Sequence, residues 1–184
     1  MIQKLACIAV LWAVITPVGA QGALRIASVS ARALARELDS DEALLRTKFE
    51  GLPADTNVVL VRDPQHLTLR IPARVLFYAD SAQANHAAIT GQPWVAVTQL
   101  LRQRHRLVAQ INVYTDSIGG QAANHGFSEQ RALSLVAALH AAAIRPDRVA
   151  ARGLGASAEL AGDDSPEGRE QNRRVEVVLG FGMP

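Results

Sequence analysis

Cysteine is almost absent from this chain: Cys7 is the only one. It lies inside the expected leader described below, so the body of the chain has no thiol to form a disulfide. Its fold must rest on an apolar core. Aromatic residues make up only 4% of the sequence, and net charge is only +2. A chain with few rings to stack bases and scattered arginines does not have the footprint of a nucleic-acid binder. His66, His86, His105, His125 and His140 are dispersed, without the paired spacing of a metal site. No calcium-loop pattern occurs among the acids near the C-terminus, and no internal repeat is evident. The sequence therefore calls for no metal and no cofactor.

The longest apolar run, Leu5 to Ile15, follows a single cation, Lys4, and leads to Val18-Gly19-Ala20. Small residues at the −3 and −1 positions and a run too short for a comfortable span read as a secretory signal peptide over residues 1–20. Cys7 lacks the preceding apolar stretch that a lipid-attachment site needs. Cleavage after Ala20 leaves 184 − 20 = 164 residues, a length that fits one domain plus an extension.

The extension is expected over residues 21–54. Ile26, Val29, Ala33, Leu34, Leu38, Leu44, Leu45 and Phe49 recur near the helical period. Asp39-Ser40-Asp41 is a possible break, and Gly51-Leu52-Pro53 is a stop. Such a stripe can pack on its own domain or dock on a membrane protein or another subunit. Beyond it, residues 55–184 read as a domain whose core closes without the helix. Two strands flank Asp63-Pro64-Gln65 as a hairpin. A helix begins after Pro93, a strand ends at Tyr114, and a loop runs from Ser117 to Gly126. Ser128 then caps a helix carrying Ala132, Leu135 and Leu139. Strands near 148–154 and 173–179 follow, separated by a long polar loop with room for a short helix. This order predicts an α/β (α+β) two-layer sandwich, a mixed sheet with helices on one face.

Two opposite charges stand out. Asp116 follows a strand, and Arg131 lies fifteen residues later. With Ser128 as the cap, Arg131 would fall in the first helical turn, where a cation opposes the helix dipole by about 0.3–1 kcal/mol. A local rule broken without local gain points to function. Asp116 with an ammonium and Arg131 with a carboxylate would hold one zwitterionic head group. A direct Asp116–Arg131 salt bridge tying loop to helix explains the same spacing equally well. Thr115 and Asn124 can hydrogen-bond such a head group or order the loop. Phe127 can pack on its methylenes or on the core. Asn172 and Arg173 precede the last strand and can line the same rim, while Arg169 and Arg174 suit ion pairs with Asp163, Asp164, Glu167 or Glu176. Catalytic sets are nonspecific. Ser128, His125 and Asp116 lack a nucleophile elbow, and Asp116 with Glu129 is one of many carboxylate pairs.

The motifs Thr115-Asp116-Ser117-Ile118-Gly119, Asn124-x-x-Phe127-Ser128-x-x-Arg131-Ala132, Gly153-x-Gly155 and Gly168-Arg169-x-x-Asn172-Arg173-Arg174-Val175-Glu176 occur in this order. In combination they resemble the OmpA-like peptidoglycan-binding domain, over about residues 57–179. The resemblance implies a periplasmic, non-enzymatic domain that binds the diaminopimelate of peptidoglycan stem peptides, with Asp116 and Arg131 at its free zwitterionic end. Such a domain tethers the wall to the outer membrane or to an envelope complex, here through a partner protein held by the N-terminal helix. The alternative is a wall-independent assembly subunit that keeps the fold without the ligand. Three positions depart from the family pattern: Val113-Tyr114 replaces Gly-His, Phe127 replaces Leu, and Glu159 replaces Pro.

Overall fold

The computed structural model describes residues 18–181, so the first seventeen residues of the expected leader lie outside the described residues. The chain divides into two units, Met1–Ala33 and Leu34–Pro184. Helix α1 (Val18–Phe49) runs without interruption through Asp39-Ser40-Asp41. Acids at such positions break helices when they compete for nearby backbone groups. Here they are engaged elsewhere: Asp39 accepts from Arg62 at 3.1 Å and Asp41 from Arg104 at 2.8 Å. The helix stops at Phe49, and Gly51 just beyond it, at φ +84°, takes the left-handed conformation a helix stop favours.

The second unit holds a five-stranded sheet in the order β1-β2-β5-β3-β4. Strand β1 (Val59–Arg62) pairs with β2 (His66–Pro72) across a tight turn. Asp63 closes that turn by accepting from the amides of Gln65 and His66 at 2.8 and 2.9 Å. The chain then passes through three short helices, α2 (Ala73–Leu76), α3 (His86–Ile89) and α4 (Trp94–Gln103). Strand β3 (Leu107–Tyr114), helix α5 (Gln121–Ala141) and strand β4 (Val149–Gly155) form a parallel crossover. Helix α6 (Pro166–Asn172), capped by Ser165, leads into β5 (Arg174–Phe181). The last strand inserts between β2 and β3, antiparallel to both.

Alternation fixes which face is covered. Leu67, Leu69, Ile71, Ile111, Val113, Val175, Val177 and Leu179 are fully buried. The residues between them, including Thr68, Arg70, Gln110, Asn112 and Glu176, stay partly exposed. Trp94, Val97, Leu100 and Leu101 of α4 join the buried face, as do Ala132, Leu135 and Leu139 of α5. The expected mixed sheet with a helical layer is present. The N-terminal boundary differs from the one expected at residue 54. Leu38 and Leu45 of α1 belong to the same core and are at most 1% exposed. The amphipathic stripe is visible in the sequence, but the surface it meets is a tertiary property.

Candidate functional site

Four segments meet at the end of β3: the Thr115–Gly120 turn, the middle of α5, the loop after Phe77, and the start of β5. The turn is shorter than the sequence suggested. Helix α5 begins at Gln121, with Gly120 at the cap position, so Asn124 and Gly126 are helical. Ser128 is therefore not a cap. It is fully buried in the helix, donates to the His125 carbonyl at 2.9 Å and accepts from the Gly155 amide at 2.9 Å. Arg131 is the eleventh residue of α5, so the expected conflict with the helix dipole does not exist. The early start reflects close packing of backbone on backbone. A Cβ at Gly153 would sit 2.0 Å from the Glu129 nitrogen. Gly155, at φ +53°, would place one 3.2 Å from the His125 nitrogen. Glu129 accepts from the Gly153 amide at 2.6 Å, which locks the contact. The Gly-x-Gly motif is thus a seat for the helix, to which Ser128 and Glu129 are both hydrogen-bonded.

The seat carries Arg131 into a slot between two rings. Its guanidinium carbon lies 4.7 Å from the Phe77 centroid and 4.3 Å from that of Phe127. Its Nε donates to the Ser81 carbonyl at 2.8 Å. Arg131 is only 7% exposed, yet among the described residues no carboxylate reaches within ion-pair distance of it. Burial pushes its pKa down, the nearby Asp80 carboxylate opposes this, and the charge of Arg173 adds to it. Phe77, Asp80 and Ser81 were not singled out in the sequence. Their loop is about fifty residues from Arg131 in the chain, and only folding brings them together.

Asp116 does not pair with Arg131, which overturns the salt-bridge reading of those two. Its carboxylate meets Arg173 instead. Arg173 also binds Glu170 at 2.7 Å. Burial opposes its charge, but these two carboxylates hold its pKa above the ordinary value. Asn124 donates to the Asp116 carbonyl at 3.2 Å and so orders the turn. Thr115 donates its amide to the Gly155 carbonyl at 3.0 Å, while its buried hydroxyl has no partner. Asn172 belongs to a different task. It accepts from the amides of Leu160 and Ala161 and donates to the Ala161 carbonyl and Asp163. With these groups satisfied, it fastens the loop before α6. Asp163 in turn accepts from the Ser117 amide, which ties that loop to the Asp116 turn. Of the departures, Tyr114 turns to the opposite face of the sheet. There its ring takes the Arg174 guanidinium at 3.7 Å, and Arg174 pairs with Glu176 at 3.0 Å.

The result is an acid with a shared partner beside a buried cation with none. Among the described residues no three His, Cys, Asp or Glu side chains gather as a metal site, and no helix is long and apolar enough to cross a membrane.

Residues 76–173 match the model of the OmpA family, a span that includes Phe77, Asp116, Arg131 and Arg173. The protein named "Probable lipoprotein YiaD" of Escherichia coli is 33% identical over 142 residues, which cover 77% of this chain and 62% of YiaD. This chain therefore spans less than two thirds of that relative. The peptidoglycan-binding protein ArfA of Mycobacterium tuberculosis is 42% identical over 69 residues, covering 38% of this chain and 21% of ArfA. The crystal structure of a MotB-like protein from Desulfovibrio vulgaris superposes with a TM-score of 0.71 at 28% identity, covering 83% of this chain and 99% of that one. With a family model spanning more than half of its length and a relative matched over three quarters of it, this chain belongs to the OmpA family.

Proposed function

We propose that this domain binds peptidoglycan noncovalently in the periplasm, by holding the zwitterionic end of diaminopimelate in a stem peptide. Arg131 carries the reading: a buried guanidinium, stacked between Phe77 and Phe127 with no acid within ion-pair distance among the described residues, is a prepared site for a carboxylate. Asp116 supplies the opposite charge for the ammonium, sharing it with Arg173. The unpartnered hydroxyl of Thr115 beside it is a further donor or acceptor. ArfA, a relative matched over 69 residues, is named for peptidoglycan binding. The role is anchoring, not catalysis. Residues 1–20 would direct secretion, and the N-terminal helix beyond them would hold an outer-membrane or envelope-complex partner.

The competing reading is an envelope assembly subunit that keeps the fold without the ligand, and the Asp116–Arg173 pair favours it. Pull-down of the secreted chain on purified sacculi separates the two. Asp116→Ala and Arg131→Ala should each abolish co-sedimentation. Truncating one side of a buried charge pair costs about 2–5 kcal/mol, enough to erase a micromolar interaction. Thermal melts run in parallel establish that the variants are folded. If both folded variants sediment like the parent, the diaminopimelate reading is wrong and the assembly-subunit reading replaces it.

A further inference from the structure

Glu170 stands at a position that the motif Gly168-Arg169-x-x-Asn172-Arg173 leaves open, yet the fold joins it to the site through Arg173. It lies in α6, three residues before Arg173, which puts the two side chains on one face of the helix end. Helix α6 is held beside the Asp116 turn, because Asp163 in the loop before it accepts from the Ser117 amide.

A guanidinium offers its N–H groups in one plane, and their division decides how much charge each neighbouring acid keeps. Oε2 of Glu170 accepts from Nε and Nη2 of Arg173 at 3.2 and 2.7 Å. Nη1 is left over, and it donates to Oδ2 of Asp116. Asp116 therefore receives a single nitrogen instead of the two-point clasp that arginine and a carboxylate otherwise adopt. Among the described residues no donor reaches its second oxygen, Oδ1. Burial opposes the charge of Arg173, and Glu170 does more than Asp116 to hold it. Glu170 also meets Arg74, whose Nε lies 3.1 Å from Oε1. Arg173 is close enough to Arg131 for the two cations to repel. Without the charge of Glu170, Asp116 would be the sole acid paired with Arg173, at the place where an ammonium must enter.

We propose that Glu170 is a positioning residue for the ammonium half of the site. By holding the Nε edge of Arg173, it keeps Arg173 from closing both terminal nitrogens on Asp116, and so preserves Asp116 for the ligand. Arg173 is then a resident competitor of the ligand's ammonium, and Glu170 restrains it. The inference rests on the diaminopimelate reading of Asp116 and Arg131, and adds to it what sets the strength of the acidic half.

The test is an NMR titration of the isotope-labelled secreted chain with a stem tripeptide that ends in diaminopimelate. Glu170→Gln keeps the length and polarity of the side chain and removes its charge. It should weaken the tripeptide about fivefold. Glu170 is about a third exposed, so the variant should melt close to the parent. Arg173→Gln tests the same competition without touching Glu170, and should bind at least as tightly as the parent. Adding Glu170→Gln to Arg173→Gln should change nothing further, because Glu170 acts only through Arg173; a merely structural role would carry its loss into that background. Parent-like binding by folded Glu170→Gln overturns the proposal. So does loss of binding by folded Arg173→Gln, or a fivefold loss when the two changes are combined. The underlying reading fails by different results: a parent that does not bind the tripeptide, or a folded Asp116→Ala that binds it like the parent, removes the diaminopimelate site and this inference with it.

Discussion

Starting the chain at Ala54 instead of Leu34 removes the part of α1 that packs in the second unit, and its effect on stability follows from what that segment buries. Leu38 and Leu45 are 1% and 0% exposed. Fully burying a leucine stabilises by about 1.5–3 kcal/mol, so losing both removes roughly 3–6 kcal/mol. The Asp41–Arg104 pair adds little on either side, because desolvating a buried acid offsets its attraction to the arginine. Arg62 loses its bonds to the Ala35 carbonyl and Asp39, both near the surface, for a few tenths more. Whole domains are stable by only about 5–15 kcal/mol. The shorter chain should therefore be marginal, with its melting midpoint lowered by roughly 10–20 °C at about 3 °C per kcal/mol. Differential scanning calorimetry of the two chains at equal concentration measures the difference. Leu38→Ala and Leu45→Ala in the full chain should each lower stability by about 2–5 kcal/mol. Midpoints within about 2 °C for the chains starting at Leu34 and Ala54 would mean that α1 does not belong to the core, and would refute the argument.

Three further outcomes are expected. Arg131→Met should lose sacculus binding yet melt at or above the parent temperature, because it removes a buried charge that has no acid partner; a fall of several degrees would assign Arg131 a structural role. Gly153→Ala should lower stability by more than about 3 kcal/mol in urea unfolding, since the new Cβ meets the Glu129 backbone, which cannot move aside as a side chain could; Gly120→Ala, with nothing within 4 Å, should change it by less than about 1 kcal/mol. Burial raises the pKa of Asp41 above the ordinary carboxylate value, outweighing the opposing pull of Arg104. The folded state then holds the proton more tightly than the unfolded one. Ionisation of Asp41 lowers stability as pH rises from the unfolded value through the folded value, and the loss is complete above it. Asp41→Asn should accordingly stabilise the domain at neutral pH, and the gain should vanish below the ordinary carboxylate pKa; a gain that persists in acid, or none at neutral pH, contradicts this.

Much of the architecture could be read from local pattern, because period-two and period-3.6 burial are written in residue order. The hairpin around Asp63, the strand ending at Tyr114, the alternation of the last strand and the apolar face of α5 all follow from it. The chemistry of Asp116 and Arg131 was visible as residue type and spacing. Their partners were not. Whether they pair with each other depends on where α5 begins, and that is decided by how closely its backbone can approach Gly153 and Gly155. Local rules place a loop through Asn124 and Gly126 and a cap at Ser128. The close contact with β4 instead makes all three helical and moves Arg131 into the slot between Phe77 and Phe127. The same holds for Asn172, whose four hydrogen bonds to the loop at residues 160–163 have no signature in the sequence. By itself the sequence determined which residues could be buried and which carry charge. The tertiary structure decided which surfaces meet and which charges are left without a partner. Those outcomes depend on contacts between residues far apart in the chain, and no local periodicity encodes them.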